Sequence, residues 1–222
     1  MLFRSIPAGV FNIVTGFGET VGQALGRHPD VDCLSFTGST EVGRYFLKYA
    51  AESNLKKVIL ELGGKSPAIV MDDVDDLQPI VEQLAIGILF SQGENCSAGS
   101  RLLVHEKVKG RLLEALVEHF KTWTVGDPLV EGTRIGALID EKHMNNILGY
   151  IKAGVEEGGR IILGGQRIRQ ETGGYYIEPT IFDGVSNQMT IAREEIFGPV
   201  LSVITFSSVE EAIAIEIGRA HV

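Results

Sequence analysis

The stretch DCLSFTGSTEVGRYFLKYAAES (residues 32–53) contains, in order, a predicted strand, a glycine turn and a helix. The strand is predicted at residues 32–36, the turn at residues 37–40 and the helix at residues 41–53. The helix is inferred from apolar and aromatic side chains at helical spacing, namely Val42, Tyr45, Phe46 and Tyr49. A strand that runs through a glycine turn directly into a helix is typical of an α/β protein with a parallel sheet.

The same alternation continues on both sides of this stretch. Further strands are predicted at residues 10–14, 57–62, 68–71, 102–105, 160–163, 176–182 (interrupted by Pro179) and 200–206. Further helices are predicted at residues 19–27, 77–90, 108–123 and 140–157. Because Gly63 and Gly64 break the pattern, we place a domain junction there. The sequence therefore predicts an α/β fold in two parts.

Composition argues against several classes of partner and site. The chain has 222 residues, 44% of them hydrophobic, and a formal net charge of −9. We therefore expect neither nucleic acid nor a membrane surface as a partner. Two cysteines without a secretory signal favour free thiols in a cytoplasmic protein. The five histidines lack ligand spacing, so no metal site is expected.

Two glycine-rich turns are candidates for holding a phosphate. In FTGSTEVG (residues 36–43), Gly38 would let the backbone approach a ligand, Ser39 could donate a hydroxyl, and Gly43 would permit close helix packing. Gly16 opens a second such turn, GFGETVG (residues 16–22). The spacing differs from the usual dinucleotide fingerprint, so a plain turn with a Ser or Thr helix cap remains an alternative for both.

An acidic residue interrupts the apolar strand in VILELGGKSP (residues 58–67). Glu61 could be a carboxylate in a cleft, with its pKa raised by desolvation so that it acts as a general base. It could equally be a strand-end residue that faces water or pairs with a lysine.

A single cysteine lies in QGENCSAGSR (residues 92–101), after a predicted helix and a glycine break. A thiol on such a turn can reach a cavity, and a helix that began just after Cys96 would favour its thiolate. The alternative is a buried free cysteine that packs as a small hydrophobe.

A third motif, REEIFGPV (residues 193–200), combines an acidic pair with an aromatic residue before a predicted strand. A carboxylate can hold a ribose through two hydroxyls, and Phe197 can pack on a flat ring. Alternatively, Phe197 is a buried anchor for the strand that follows.

Taken together and in this order, these motifs resemble the aldehyde dehydrogenase superfamily over about residues 6–215. The resemblance implies the C-terminal part of a Rossmann-like NAD(P)-binding domain at residues 6–63, followed by part of the α/β catalytic domain at 64–215. It implies that Cys96 is the nucleophile and Glu61 the base that activates water for thioester hydrolysis. The implied cofactor contacts are Gly16, Gly38, Ser39, Val42, Gly43, Leu62, Gly63, Glu195 and Phe197.

The resemblance also implies partners and gaps. The cofactor would be NAD or NADP, the substrate a small aldehyde, and the full-length parent a homo-oligomer. The oxyanion asparagine and other elements of the family would lie outside residues 6–215, so we expect this chain to be inactive alone. Residues 1–5 and 216–222 can be encoded by strings that resemble a sequencing adapter, and we interpret them as library artefacts.

Three readings of the activity remain open. The first is hydrolytic aldehyde oxidation, with GALID (residues 136–140) and ENCS (94–97) closest to relatives that act on amine-derived aldehydes such as γ-glutamylaminobutyraldehyde or betaine aldehyde. The second is an acylating enzyme in which coenzyme A accepts the acyl group. The third is a catalytically silent structural protein on the same fold.

Overall fold

The computed structural model of the chain describes residues 6–216. The chain divides between Gly63 and Gly64 into two compact units. Unit 1 ends at Gly63, and unit 2 begins at Gly64. The segments interpreted as adapter-derived lie outside the described residues, except for Glu216, which ends the last helix.

Unit 1 is built on two parallel strands joined by a helix. A π-helical turn at Gly18–Gly22 leads into α1 (Gln23–Arg27), followed by β1 (Cys33–Gly38), α2 (Thr40–Ala51) and β2 (Lys57–Leu62). The register pairs Thr37 with Glu61 and Gly38 with Leu62, so the carboxyl ends of both strands lie at the same edge. A helical crossover of this kind is the usual connection between parallel neighbours, because a two-residue hairpin cannot join them.

The predicted strand at residues 10–14 is wrong. These residues form no regular element, and Val10 and Ile13 are 71% and 77% exposed. A strand needs a neighbour for its backbone groups, and among the described residues β1 pairs only with β2. Apolar composition alone therefore did not make this segment a strand.

Unit 2 contains a five-stranded sheet with helices on both faces. Its elements are β3 (Pro67–Val70), α3 (Gln78–Leu89), β4 (Arg101–His105), α4 (Glu106–Lys121), α5 (Glu141–Glu156), β5 (Arg160–Leu163), β6 (Arg167–Ile168), β7 (Tyr176–Ile177), β8 (Thr180–Asp183), α6 (Thr190–Arg193), β9 (Val200–Phe206) and α7 (Val209–Glu216). The strand order is β3-β4-β9-β8-β5, parallel except for β5. The α/β prediction is confirmed.

Alternating side chains of the central strands divide between two apolar clusters. On β4, Leu102 and Val104 belong to the cluster that contains α3 and α4, whereas Leu103 belongs to the cluster that contains α5 and α6. β9 alternates in the same way, with Leu201 in the first cluster and Val200 in the second. Both faces of the sheet are covered, as parallel strands require.

The predicted strand at 176–182 is two short strands. β7 ends at Ile177 and pairs with β6, whereas β8 starts at Thr180 and joins the main sheet. Pro179 lies between them, and proline has no N–H to donate to a ladder.

Candidate active site

Three loops meet at one edge of the unit 2 sheet. Residues 64–66, 94–100 and 194–199 precede β3, β4 and β9, respectively, which are parallel neighbours. Their amino ends therefore share an edge. A small pocket opens there and is lined by Gly64, Ile88, Gly93, Asn95, Ala98, Ser100, Glu195, Ile196, Phe197 and Gly198.

The turn that carries Cys96 is closed by the side chain of Asn95. Asn95 Oδ1 accepts hydrogen bonds from the backbone N–H and the hydroxyl of Ser97, at 3.1 and 3.0 Å. The backbone carbonyl of Asn95 also accepts from Ala98 N–H at 3.1 Å. Cys96 is held at the apex of this turn with its side chain exposed.

Two expectations for Cys96 are not met. The thiol is not buried, so it does not pack as a small hydrophobe. No helix starts after it either, because residues 98–100 are irregular and β4 begins at Arg101. The thiol is therefore not stabilised by a helix that begins after it, and the residues around it belong to neighbouring loops.

A contact between two backbones joins the cysteine loop to the loop before β9. Gly93 has φ +74°, and a Cβ added to it would lie 2.3 Å from both the carbonyl carbon and oxygen of Gly198. Only hydrogen fits in that space, so Gly93 is required by contact as well as by conformation. The contact fixes the loop that leads to Cys96 against the loop that carries Glu195 and Phe197.

Two charged groups beside the pocket have shifted pKa values. Burial raises the pKa of the Glu195 carboxyl, while the Gly64 amide and the Lys65 ammonium act in the opposite direction. Burial, more than the Arg101 guanidinium, lowers the pKa of Lys65 to about 7. Within residues 6–216, Lys65 Nζ has no hydrogen-bond partner. Both shifts follow from desolvation of a charge.

Arg101 fixes the segment that bears Lys65. Its Nε donates to the Lys65 carbonyl at 2.9 Å, its backbone N–H donates to Ser66 O at 3.3 Å, and its guanidinium pairs with Glu216. Sequence reasoning assigned no role to this fully buried arginine. Its signal was a charged residue at the start of an apolar strand.

Phe197 is partly exposed, in contrast to the alternative that treated it as a buried anchor. It is 38% exposed and has φ +56°, which is unusual for a residue other than glycine. Its carbonyl lies 2.7 Å from Nε2 of His143, a residue that sequence reasoning dismissed as a scattered histidine. The available signal was its place three residues after Asp140, the N-cap of α5.

The candidate residues of unit 1 gather at the carboxyl edge of its two strands. Gly38 ends β1 and Leu62 ends β2, opposite each other in the register. Ser39 Oγ accepts from Val42 N–H at 3.3 Å, so this side chain caps α2. A Cβ on Gly43 would lie 2.8 Å from Leu62 Cδ2, which shows that Gly43 lets α2 pack closely on β2.

Two other residues of unit 1 differ from expectation. Glu61 is exposed at the end of β2, so the desolvated cleft expected for its carboxylate is not seen. Gly16 does not follow a strand, because residues 10–14 form none, and it lies in an irregular segment before the π-helical turn. Gly63 is half-buried at the end of the unit.

The described part of the chain lacks two other kinds of feature. Among residues 6–216, no helix combines the length and apolarity needed to cross a membrane. In the same range, no group of three or more His, Cys, Asp or Glu side chains is arranged to hold a metal ion.

The sequence matches the aldehyde dehydrogenase family over residues 2–216. The chain belongs to this family. The chain is 50% identical over 210 residues to the aminoacetaldehyde dehydrogenase of Pseudomonas aeruginosa, a match that covers 95% of the chain and 42% of the relative. The chain therefore spans less than half the length of this relative.

Solved structures of the family superimpose closely on the chain. The indole-3-acetaldehyde dehydrogenase of P. syringae, a variant in complex with NAD+ and IAA, gives a TM-score of 0.94 at 54% identity and covers 96% of this chain and 43% of its own. The γ-glutamyl-γ-aminobutyraldehyde dehydrogenase of Burkholderia cenocepacia gives 0.93 at 50% identity, over 98% of this chain and 43% of its own.

Proposed function

We propose that this chain carries the nucleophile and general base of an enzyme that oxidises an aldehyde to a carboxylic acid with NAD+ or NADP+. The observation that carries the proposal is the exposed Cys96, held on a closed turn beside the pocket formed with Glu195 and Phe197. Membership of the aldehyde dehydrogenase family adds support.

The chemistry divides into two steps on one sulfur atom. The Cys96 thiolate attacks the aldehyde carbon, and the carbonyl oxygen becomes an alkoxide that the Cys96 backbone N–H stabilises. Collapse of this alkoxide breaks the C–H bond, expels a hydride and leaves a thioester on Cys96; NAD(P)+, when bound, would supply the hydride acceptor. Glu61 then takes a proton from water, which attacks the thioester, releases the acid and regenerates the thiol.

Several residues fit the cofactor. The half-buried Glu195 presents a carboxylate in the pocket, which suits the two hydroxyls of a ribose, and Phe197 beside it has an exposed ring for the nicotinamide. Gly38 and Ser39 precede the N-terminus of α2, a site that suits a pyrophosphate. Val42, Gly43, Leu62, Gly63 and Gly16 complete the proposed contacts.

Variants of the full-length enzyme that contains this sequence test these roles by NADH formation. Cys96→Ala should lower kcat by about 10³-fold or more, because the covalent step is lost. Cys33→Ala is the matched control, since Cys33 is the other exposed free thiol, and should retain activity. Undiminished oxidation by Cys96→Ala would overturn the assignment.

Glu61→Gln tests the second step separately. It should give one rapid equivalent of NADH and then stall as the thioester accumulates, which mass spectrometry would detect on Cys96. Steady turnover at the wild-type rate would remove Glu61 from the mechanism. Turnover restored by coenzyme A, with a thioester product, would assign the acylating reaction. The 222-residue chain alone should show no turnover.

We further propose an amine-derived aldehyde as substrate. Relatives named for aminoacetaldehyde, γ-glutamyl-γ-aminobutyraldehyde and betaine aldehyde support this choice. A higher kcat/KM for aminoacetaldehyde than for benzaldehyde would support it, and the reverse order would refute it. A cytoplasmic location and a homo-oligomeric parent stay predictions, which fractionation and light scattering would test.

A further inference from the structure

His143 lies where the cysteine loop, the Phe197 loop and helix α5 meet. Asp140 caps α5 by accepting from His143 N–H at 2.7 Å, which orients the first turn of the helix. The His143 ring faces the two loops, with Nε2 at 2.7 Å from the Phe197 carbonyl and 3.6 Å from Glu94 Oε1. Its side chain is only 18% exposed.

The geometry fixes which ring nitrogen of His143 carries a proton. A carbonyl oxygen can only accept, so Nε2 must donate to Phe197 O. Nε2 carries a proton in this neutral tautomer and also in the imidazolium form. The hydrogen bond is therefore retained whether or not the ring is charged.

The Phe197 backbone has a conformation that needs outside support. A positive φ at a residue with a Cβ is strained and persists only when neighbours hold it. Helix α5 holds this loop at two successive residues. His143 binds the carbonyl of Phe197, and Ile147, one turn later, leaves no room for a Cβ on Gly198, with Cδ1 at 2.6 Å from that position.

The cysteine loop is tied to the same helix from its other side. Glu94, two residues before Cys96, accepts from the backbone N–H of Ile139 at 3.0 Å, just before the α5 cap. The same carboxylate oxygen faces His143 Nε2. Glu94 is 13% exposed at its side chain, so this contact is shielded from solvent.

We propose that His143 is a positioning residue that sets the place of Cys96 relative to the Phe197 ring. It does so by holding the Phe197 carbonyl directly, beside the point where Glu94 joins the cysteine loop to Ile139, with Glu94 Oε1 at 3.6 Å from Nε2. This role rests on the proposed function, in which Cys96 is the nucleophile and Phe197 packs on the nicotinamide. His143 contacts Phe197 and faces Glu94, and it acts on Cys96 only through the segments that these residues occupy.

Substitutions in the 222-residue chain test the contact without relying on catalysis. His143→Leu removes the donor, whereas His143→Gln keeps an N–H on a side chain of similar reach. In a Cys33→Ala background, His143→Leu should change the rate of Cys96 alkylation by iodoacetamide by about threefold or more and speed amide exchange at Ile139 about tenfold. His143→Gln should restore most of both values.

Two controls separate this role from general destabilisation. Amide exchange at Leu103, in the buried strand β4, should stay unchanged in all variants. His119→Leu on α4 should change neither the alkylation rate of Cys96 nor the amide exchange rate of Ile139. In the wild-type chain, ¹⁵N NMR should show His143 protonated at Nε2. Unchanged exchange and alkylation in His143→Leu, or a proton on Nδ1 alone, would overturn the proposal.

The full-length enzyme supplies an independent measurement. His143→Leu should raise KM for NAD+ about tenfold with a smaller change in kcat, and His143→Gln should lie close to the wild type. Equal defects in the two variants would overturn the positioning role. Failure of the proposed function would instead be seen as an active Cys96→Ala enzyme, with the exchange and alkylation results standing.

Discussion

The candidate residues of unit 1 lie at the carboxyl ends of its parallel strands, whereas those of unit 2 lie before the amino ends of its strands. In unit 1, Gly38 and Glu61 lie where the strands end, and the chain runs from Gly38 through Ser39 into the N-terminus of α2. In unit 2, Cys96 and Glu195 lie before the strands begin, in irregular loops. A helix start offers oriented N–H groups for an anion. A loop before a strand has no helix start, so contacts such as that of Gly93 with Gly198 must position the reactive group.

Burial separates the units as well. In unit 2 the central strands β4 and β9 are buried along nearly their whole length. In unit 1 both strands alternate exposed and partly buried positions, and Ile59 on β2 is 41% exposed. Because apolar burial is the main favourable term in folding, unit 2 should be the more stable of the two.

Amide hydrogen exchange of the 222-residue chain should show the largest contrast. Amides of β4 and β9 should exchange about 10³-fold more slowly than those of β1 and β2, equivalent to about 4 kcal/mol of opening free energy. The measurement is mass spectrometry or NMR at neutral pH. Equal protection in the two sets of strands would contradict the idea that burial decides their stability.

Glycine substitutions should distinguish the backbone contact at Gly93 in unit 2 from the side-chain packing at Gly43 in unit 1. Gly93→Ala forces a Cβ into the Gly198 backbone at a positive φ, so it should cost about 3 kcal/mol or more in urea unfolding. Gly43→Ala meets only the flexible ends of the Leu62 and Leu60 side chains and gains helix propensity, so its effect should stay within about 1 kcal/mol.

Gly87→Ala is the control within unit 2. It lies in α3 with no atom within 4 Å of an added Cβ, and it should stabilise by about 0.5–1 kcal/mol. A Gly93→Ala protein as stable as Gly87→Ala would show that the backbone contact is not required.

Local pattern was sufficient for most of the regular structure but not for the site. The strand at Lys57–Leu62 and the strand at Val200–Phe206 have the predicted bounds, because apolar runs between turn residues carry the signal. The segment at 10–14 is also rich in apolar residues and is no strand, since pairing depends on a neighbour that local pattern does not reveal.

The candidate site shows the same limit more sharply. Cys96, Glu195 and Phe197 could be chosen from motifs, and the placement of their loops at one edge follows from parallel neighbours. His143 and Arg101 were not chosen, because their local signals are weak and their importance comes from contacts with residues 54 and 36 positions away. The absence of a helix after Cys96 was also hidden, since a Gly- and Ser-rich stretch suits a helix start as well as a turn.

Two buried lysines allow a matched test between the units. Lys56 Nζ donates to Gly26 O at 2.6 Å and to Ser53 Oγ at 2.9 Å, whereas Lys65 Nζ has no such partner in residues 6–216. Lys56→Met should destabilise by about 1–3 kcal/mol because two polar groups lose their donor. Lys65→Met should stabilise at pH 7 by an amount on the order of 1–4 kcal/mol.

The gain from Lys65→Met should depend on pH in a definite direction. The pKa of Lys65 is about 7 in the folded chain and the ordinary pKa of a free lysine is 10.5, so between these values the unfolded state binds the extra proton. Stability of the parent chain therefore rises with pH across this window. The Met variant should show its full advantage at pH 7 and lose it above about 10.5. If the stability gain of Lys65→Met stayed constant from pH 7 to 11, the buried ammonium would not be its cause.

The smallest expected effect separates two roles of Ser39. Ser39→Ala removes the acceptor for Val42 N–H and should cost about 0.5–1 kcal/mol in urea unfolding. Ser39→Asp restores a cap, so it should recover that stability, but it places a negative charge where a pyrophosphate is proposed to bind. NAD+ affinity of the full-length enzyme, measured by calorimetry, should then fall more in Ser39→Asp than in Ser39→Ala. If affinity instead follows stability, Ser39 acts only as a helix cap, and the carboxyl edge of unit 1 would hold no phosphate at this residue.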